Sequence, residues 1–449
     1  MSRTRSPRGA LAPVLTVLAL AGSSWFASGT AAAAGGSPAH GSATAATTCP
    51  AGTGAGSPGV TAHQVKIAAI STRTGPISAD FNGLVPGLKA YFSTVDAKGG
   101  VDGRKLVLAY NLDTAGVPSQ FDSAMHTAID QDHAFAVAVS SFWFTPSYFV
   151  ATCTPTYGYN VNGNWTGAPN LYGATGSTQT YSTIAPAVAY VVDKSKAKKI
   201  GVLAYSISTS NDVCKAVVTR LKSAGYDVAF TDLKLPPINA NLAPDVQRME
   251  QAGVDFVVSC MTVTGNVALA RAVQQYGLKV KQLWFNGADQ SVVDKYRSLL
   301  QGVYFSVQHV PIGAAKQDSG EYPGLTAYLK AMKKYAPSFV GTELAIQGWE
   351  VGELIAAGVK AAGKNLTQAS LVTATNHLSD FTAGGLIQPV DWATAHTTVS
   401  PVSCSAFEQV KGSSVVPALA KGKHVFLCFA NNRVKHATPT KPPSGTPGG

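Results

Sequence analysis

Charge is what this chain of 449 residues has least of. Asp, Glu, Lys and Arg together make 13% of it, against 45% hydrophobic residues, about half the charged share usual in soluble domains. Intrinsic disorder requires the opposite balance and is excluded for most of the chain. No apolar run of 18 or more residues follows the N-terminal segment, which excludes a body built of membrane-spanning helices. Signatures of catalysis are also lacking: there is no GxSxG elbow, no HExxH, no EF-hand loop and no GxxxxGKS/T phosphate loop. There is no CxxC, and no His stands at ligand spacing from a Cys. No metal, cofactor or enzymatic activity is therefore expected. The net charge of +11 falls to +8 without Arg3, Arg5 and Arg8. Its densest cluster, Lys194, Lys196, Lys198 and Lys199, reads as a solvated helix face rather than a nucleic-acid patch.

What is present first is an export pattern. Residues 1–34 combine Arg3, Arg5 and Arg8, the apolar segment Ala10–Ala21 and small residues ending at Ala31–Ala34, the layout of a signal peptide. Ser23 follows Leu20-Ala21-Gly22 where a lipoprotein signal carries Cys, so export without an obvious lipid anchor is expected. Six cysteines lie beyond that segment, and an even number in an exported chain points to disulfides. Cys404 with Cys428 is the first expected pair, since they flank one short excursion. Cys214 with Cys260 is the second, at the ends of two expected neighbouring strands, which leaves Cys49 with Cys153.

Residues 35–63 read as a flexible leader rich in Gly, Ala, Ser and Thr, and 436–449 as a disordered tail. Gly54, Gly56 and Gly59 satisfy GxGxxG by spacing alone, with no strand before them and Pro58 inside, so the motif is spurious. The remaining body, about 370 residues, suffices for two α/β lobes. Apolar strand runs alternate with amphipathic segments throughout it. Val65–Ile70, Lys105–Tyr110 and Ala134–Val139 are expected strands, with helices over Phe81–Ala97 and Gln120–Asp132. The pattern restarts at Lys199–Ala204 and runs through Asp212–Ala224, Asp227–Thr231, Ala243–Ala252, Asp255–Cys260 and Asn266–Tyr276 to Gln282–Phe285. Such alternation gives parallel sheets covered by helices, with ligands beyond the carboxyl ends of the strands.

The candidate site residues lie in the turns after those strands. Ser140-Ser141-Phe142-Trp143-Phe144 precedes Thr145-Pro146, which reads as N-cap and first residue of a helix. Hydroxyls and free N–H groups there suit a carboxylate or other acceptor; packing of the aromatics in the core and simple capping fit equally. In the second series the corresponding turns hold Tyr205, Thr262 and Asp289. Asp289 suits a cationic ligand group or an N-cap. Glu350 and Glu353 share one side of an apolar helix and read as solvent-facing. Asn162-Gly163, between Val161 and Trp165, is a type I′ hairpin signal, forming either a lid or a surface decoration.

The strand Val65–Ile70 leading to Thr74-Gly75-Pro76, then Ala90-Tyr91-Phe92, and Gly99-Gly100-Val101-Asp102-Gly103-Arg104-Lys105-Leu106, together resemble the opening of type I periplasmic solute-binding proteins of the branched-chain amino acid ABC transporter class. The resemblance extends over roughly residues 60–430. It implies two Rossmann-like lobes with parallel sheets, joined by three hinge crossovers near Tyr172–Thr175, Ser306–His309 and Thr382–Leu386. One lobe would comprise 64–173 plus 308–384, the other 174–307 plus 385–430. It implies a small organic ligand held on Ser140 and Ser141 from one side and near Tyr205, Thr262 and Asp289 from the other, no cofactor, and a membrane permease as partner. Asp80 stands where the family's amino-acid receptors have an aromatic residue, and Phe142-Trp143-Phe144 replaces their small residues. Those departures point to a bulkier or more apolar ligand than leucine. A sensing or scavenging module of the same fold is the alternative; a secreted enzyme is the third.

Overall fold

A computed structural model defines the fold for Cys49 and residues 57–178, 181–238, 240–316, 320–420 and 424–447. The expected signal segment and most of the expected leader lie outside these described residues.

The first lobe begins with β1 (Gln64–Ser71), α1 (Leu84–Asp96), β2 (Lys105–Asp113), α2 (Pro118–His126), β3 (Ala136–Ser140), the single turn α3 (Ser147–Ala151), β4 (Thr156–Gly158) and β5 (Leu171–Gly173). These strands form one parallel sheet in the order β2-β1-β3-β4-β5. All five residues of β3, Ala-Val-Ala-Val-Ser, are buried, as a strand covered on both faces requires. The chain continues through α4 (Ala185–Lys194), β6 (Lys199–Tyr205), α5 (Ser208–Ser223), β7 (Asp227–Leu235), α6 (Ala243–Ala252), β8 (Phe256–Cys260), α7 (Val263–Gln275), β9 (Lys281–Trp284), α8 (Gln290–Tyr296) and β10 (Tyr304–Val307). Helices α9 (Pro323–Tyr335), α10 (Glu343–Ala362) and α11 (Gln368–Thr375) follow, before β11 (Val402–Lys411), β12 (Ser414–Ala418) and β13 (Phe426–Ala430). The second sheet runs β12-β11-β10-β9-β8-β6-β7, with β13 beside β11. Its β6–β10 core is parallel, and β11 to β13 are antiparallel additions.

Helix α10 returns to the first lobe because α1 offers it a smooth face. A Cβ on Gly87 would stand 2.1 Å from Ala345 O, and one on Gly348 2.3 Å from Leu84 O. The two backbones meet where those side chains are missing, which fixes the start of α10 beside the gap between the sheets. The three passages between the sheets run together. Thr175 Oγ1 donates to Gln308 Oε1 at 2.8 Å, His309 bridges Ile387, and Val310 N–H donates to Leu386 O at 2.7 Å. His309 is buried there, and burial pushes its imidazole down to about 4.

All three disulfides join the expected partners: Cys49–Cys153, Cys214–Cys260 and Cys404–Cys428. Cys404 and Cys428 are register partners across β11 and β13. Cys214 lies not on a strand but in α5, which packs over the end of β8 and brings it to Cys260. Three other expectations are corrected. Glu350 is 1% exposed, within the core-facing surface of α10, because that helix is covered by α1 on one side and α11 on another. Asn162-Gly163 makes no hairpin; Asn162 Oδ1 accepts the N–H of Asn164 and starts a 3-10 turn that buries Trp165 completely. Residues 436–447 pack on the second lobe rather than forming a free tail. Thr440 N–H finds Cys428 O on β13 at 2.7 Å, and Val434 and Ala437 enter that lobe's apolar core.

Candidate functional site

Between the lobes lies a cavity of about 50 Å³, lined by residues from both, with room for a few water-sized groups. Every wall comes from a segment that follows a strand or opens a helix. Asp80 and Phe81 belong to the turn between β1 and α1; a 3-10 turn at Ser78–Asp80 delays α1 to Leu84, so both stay in the turn. Phe142 follows β3 and Tyr159 follows β4, while Val263 opens α7 after β8. Asn286, Gly287 and Asp289 follow β9, and Glu343 opens α10.

The start of α7 is the most structured part. Thr262 is its N-cap, accepting Gly265 N–H at 3.2 Å, and Tyr205 Oη lies 2.8 Å from Thr262 Oγ1. Gly265 permits that contact, since a Cβ there would stand 2.0 Å from the Tyr205 hydroxyl. The next amide, Val263 N–H, points across the gap and donates to Asp80 Oδ1 at 3.0 Å. A helix N-terminus attracts an anion, and here the opposite lobe supplies it. Asn286 Nδ2 adds a longer contact to the same oxygen, 3.4 Å, while bonding Met261 O at 2.9 Å. Asp80 Oδ2 is buried and has no hydrogen-bond partner.

A second exchange runs the other way. Asp289 stands at the N-cap position of α8 without capping it; its carboxylate instead accepts the N–H of Glu343, at the start of α10. Glu343 Oε2 accepts Gly287 N–H at 3.2 Å. Each lobe thus closes a helix start or turn of the other with a carboxylate.

These acids share one environment. Burial raises Asp80 to about 7 and Asp289 to about 6, with the charge of Asp289 adding to the rise on Asp80. Burial, then the charges of Asp289 and Glu408, push Glu343 well up. Glu408, on β11, is raised by burial to about 8 despite accepting Gly313 N–H at 3.2 Å. Glu350 is pushed well up by burial, then by Glu353 and Glu343. Among the described residues no Lys, Arg or His lines the cavity. On its apolar side Phe81 meets Phe142 edge-on with ring centres 4.6 Å apart, and Tyr159 lies 6.2 Å from Phe81.

Of the residues singled out by sequence, Asp80, Phe142 and Asp289 line this cavity. Ser140 and Ser141 lie behind it, buried, and Ser141 Oγ is occupied by Trp143 N–H at 3.1 Å. Trp143 turns away, its indole N–H donating to Gly116 O at 2.8 Å. Phe144 stacks on Trp165 in the first lobe's core, ring centres 4.1 Å apart. The helix expected from Thr145-Pro146 begins only at Ser147 and lasts one turn, while Thr145 Oγ1 donates to Asp122. Tyr205 and Thr262 support α7 from behind. Sequence reasoning missed Phe81, Tyr159, Asn286 and Glu343. Of these, Asn286 and Phe81 adjoin turns already marked, whereas nothing local marks Glu343.

Two parallel α/β lobes meeting across a cavity lined by both define a two-lobed binding-protein architecture. Residues 64–414 match the family model for periplasmic binding proteins, and the chain belongs to that family. It is similar to a Leu/Ile/Val-binding protein of Citrobacter freundii, 23% identical over 211 residues, 44% of this chain and 54% of that protein. The match thus spans about half the length of that curated relative. Among solved structures it resembles a fatty acid ABC transporter substrate-binding protein from Thermomonospora curvata (TM-score 0.69, 15% identity, 87% of this chain and 97% of that one). It also resembles a branched-chain amino acid ABC transporter protein from Thermus thermophilus with bound valine (TM-score 0.66, 14% identity, 80% and 96%). At those identities the likeness is one of fold. The proteins matched are binding proteins, and among the described residues no helix is long and apolar enough to cross a membrane.

Proposed function

We propose that this chain is the extracytoplasmic solute-binding component of an ABC transporter. It captures a small organic solute between its two lobes and presents the closed form to a membrane permease. The observation that carries this reading is the position of the cavity. Its walls follow β3, β4, β8 and β9, the carboxyl ends of parallel strands, where such sheets bind ligands. The solute contacts Asp80, Phe142 and Asp289, together with Phe81, Tyr159 and Asn286. The Leu/Ile/Val, valine and fatty acid carriers to which the chain is similar support a small organic solute as cargo.

Two measurements on the purified exported chain test this. A solute at one hundred times its dissociation constant adds about 2.7 kcal/mol to stability, which raises the thermal midpoint by several degrees. Small-angle scattering with the same solute should show a smaller radius of gyration as the lobes close. A bound solute chemically converted during the experiment, or binding without any compaction, would overturn the reading.

A further inference from the structure

We infer that the solute of this site is an organic cation, an ammonium- or guanidinium-bearing molecule with a short apolar body and no carboxylate; the inference rests on the solute-binding reading above. Three observations converge on it.

The first is charge. Asp80, Asp289 and Glu343 border one cavity, with Glu408 and Glu350 behind them, and among the described residues none of the five forms a salt bridge. The charges acting on these acids are other acids. A buried set of this kind is costly unless protonated or matched by a cation.

The second is an unused acceptor. Asp80 is 7% exposed, and its Oδ1 is committed to Val263 N–H while its Oδ2 has no partner. A buried carboxylate oxygen at a cavity wall, already held in place through its twin, is a preset acceptor for a cationic donor. The third is what surrounds it. Phe81, Phe142 and Tyr159 form the apolar side of the same cavity, and aromatic faces attract cations, most strongly when water is excluded.

The same geometry disfavours a carboxylate-bearing solute. The helix start that would receive it, at Val263, is filled by the protein's own Asp80. The Ser141 hydroxyl is buried outside the cavity and occupied by Trp143 N–H.

The test is calorimetric titration of the full exported chain with four probes on one skeleton: isopentylamine, leucine, isovaleramide and isovalerate. Phenethylamine, phenylalanine, 3-phenylpropanamide and 3-phenylpropanoate repeat it on a larger body. At pH 7.5 the amines bind and the other probes do not. The amines weaken by about tenfold or more at pH 5.5, as the acids take up protons. Asp80→Asn loses about tenfold or more, the scale of one charged hydrogen bond. Phe142→Leu, which leaves every acid in place, gives a smaller loss in the same direction. Leucine, an amide or an acid binding as tightly as the matching amine would overturn the cationic assignment and leave the solute-binding reading intact. Silence from all eight probes would overturn the cationic assignment, while the solute-binding reading is decided by the stability and compaction measurements above.

Discussion

Asp80 Oδ1 accepts the backbone N–H of Val263 at 3.0 Å across the gap between the lobes. The first turn of one lobe therefore occupies the helix start of the other, and a protein carboxylate sits where an external anion would be drawn. Asp289 and Glu343 repeat the exchange in the opposite direction. The contact between the lobes thus brings acids together, and their ionisation is linked to that contact.

The first consequence concerns pH. Asp80 is raised to about 7, Asp289 to about 6 and Glu408 to about 8, and Glu343 and Glu350 move in the same direction. Acids raised on folding hold protons that the unfolded chain has released. Their stabilisation is full below their ordinary range, near 4, and is lost as pH rises through the folded values. His309 and His396 are lowered to about 4; their effect lies below their ordinary value and is finished by about pH 6.5. Asp80 faces Asp289, with the phenols of Tyr159 and Tyr205 nearby; Glu343 faces Asp289 and Glu408; Glu350 faces Glu353. Stability should therefore fall between pH 6.5 and 8, by about 1.4 kcal/mol per pH unit for each proton retained on folding. Urea midpoints across that range check it; a flat profile would refute it.

Asp80→Asn separates this residue from the rest. The amide oxygen still accepts Val263 N–H, but no charge is buried. At pH 3.5, where Asp80 is protonated in the folded and the unfolded chain alike, variant and wild type should melt together. At pH 8 the variant should be the more stable. Equal midpoints at both pH values would mean that Asp80 ionises freely in the folded chain.

The disulfides span 104, 46 and 24 residues. In the chain-entropy account, closing such loops contributes about 4.7, 4.0 and 3.4 kcal/mol respectively. Paired Cys→Ala replacement of Cys49 and Cys153 should therefore cost most, and that of Cys404 and Cys428 least, because β11 and β13 are also joined by their ladder. Denaturation of the three double variants under non-reducing conditions gives the order.

Packing of α10 on α1 positions Glu343. Gly348→Ala places a methyl group 2.3 Å from Leu84 O, a backbone atom that cannot swing aside. The helices must separate, costing about 1–3 kcal/mol. Gly163→Ala, with nothing within 4 Å of the new Cβ, is the control and should be close to neutral. A Gly348→Ala midpoint equal to the control's would show that α10 shifts without strain.

The fold was legible in the chain because parallel strands buried on both faces read as apolar runs such as Ala136–Ser140, and their helices as 3.6-residue periods. The disulfides were legible from number and order, although Cys214 was assigned to the wrong kind of element. The site was legible only in part. Asp80, Phe142 and Asp289 stand in turns that follow strands, where position alone marks them. Glu343 lies some 260 residues from Asp80 and reaches the cavity only because Gly87 and Gly348 let two helices touch. Glu350 looked solvent-facing because a carboxylate on a helix ordinarily is; burial of α10 on several sides is tertiary information. Ser141 and Trp143 are correctly placed after a strand, but their backbone turns them toward each other and Gly116.

That last divergence gives the sharpest contrast between neighbours. Phe142 borders the cavity and packs edge-on to Phe81, whereas Trp143 points to the loop before α2 and donates to Gly116 O at 2.8 Å. Trp143→Phe removes that hydrogen bond, which should lower stability by about 1 kcal/mol, and leaves the cavity wall intact. Its affinity for isopentylamine should match wild type. Phe142→Ala removes an aromatic wall and the edge contact, so its affinity should fall below that of wild type at the same pH, with both measured well below their melting midpoints. If Trp143→Phe weakens binding as much as Phe142→Ala does, the solute reaches behind β3, and the cavity between Asp80 and Asp289 is not its only contact surface.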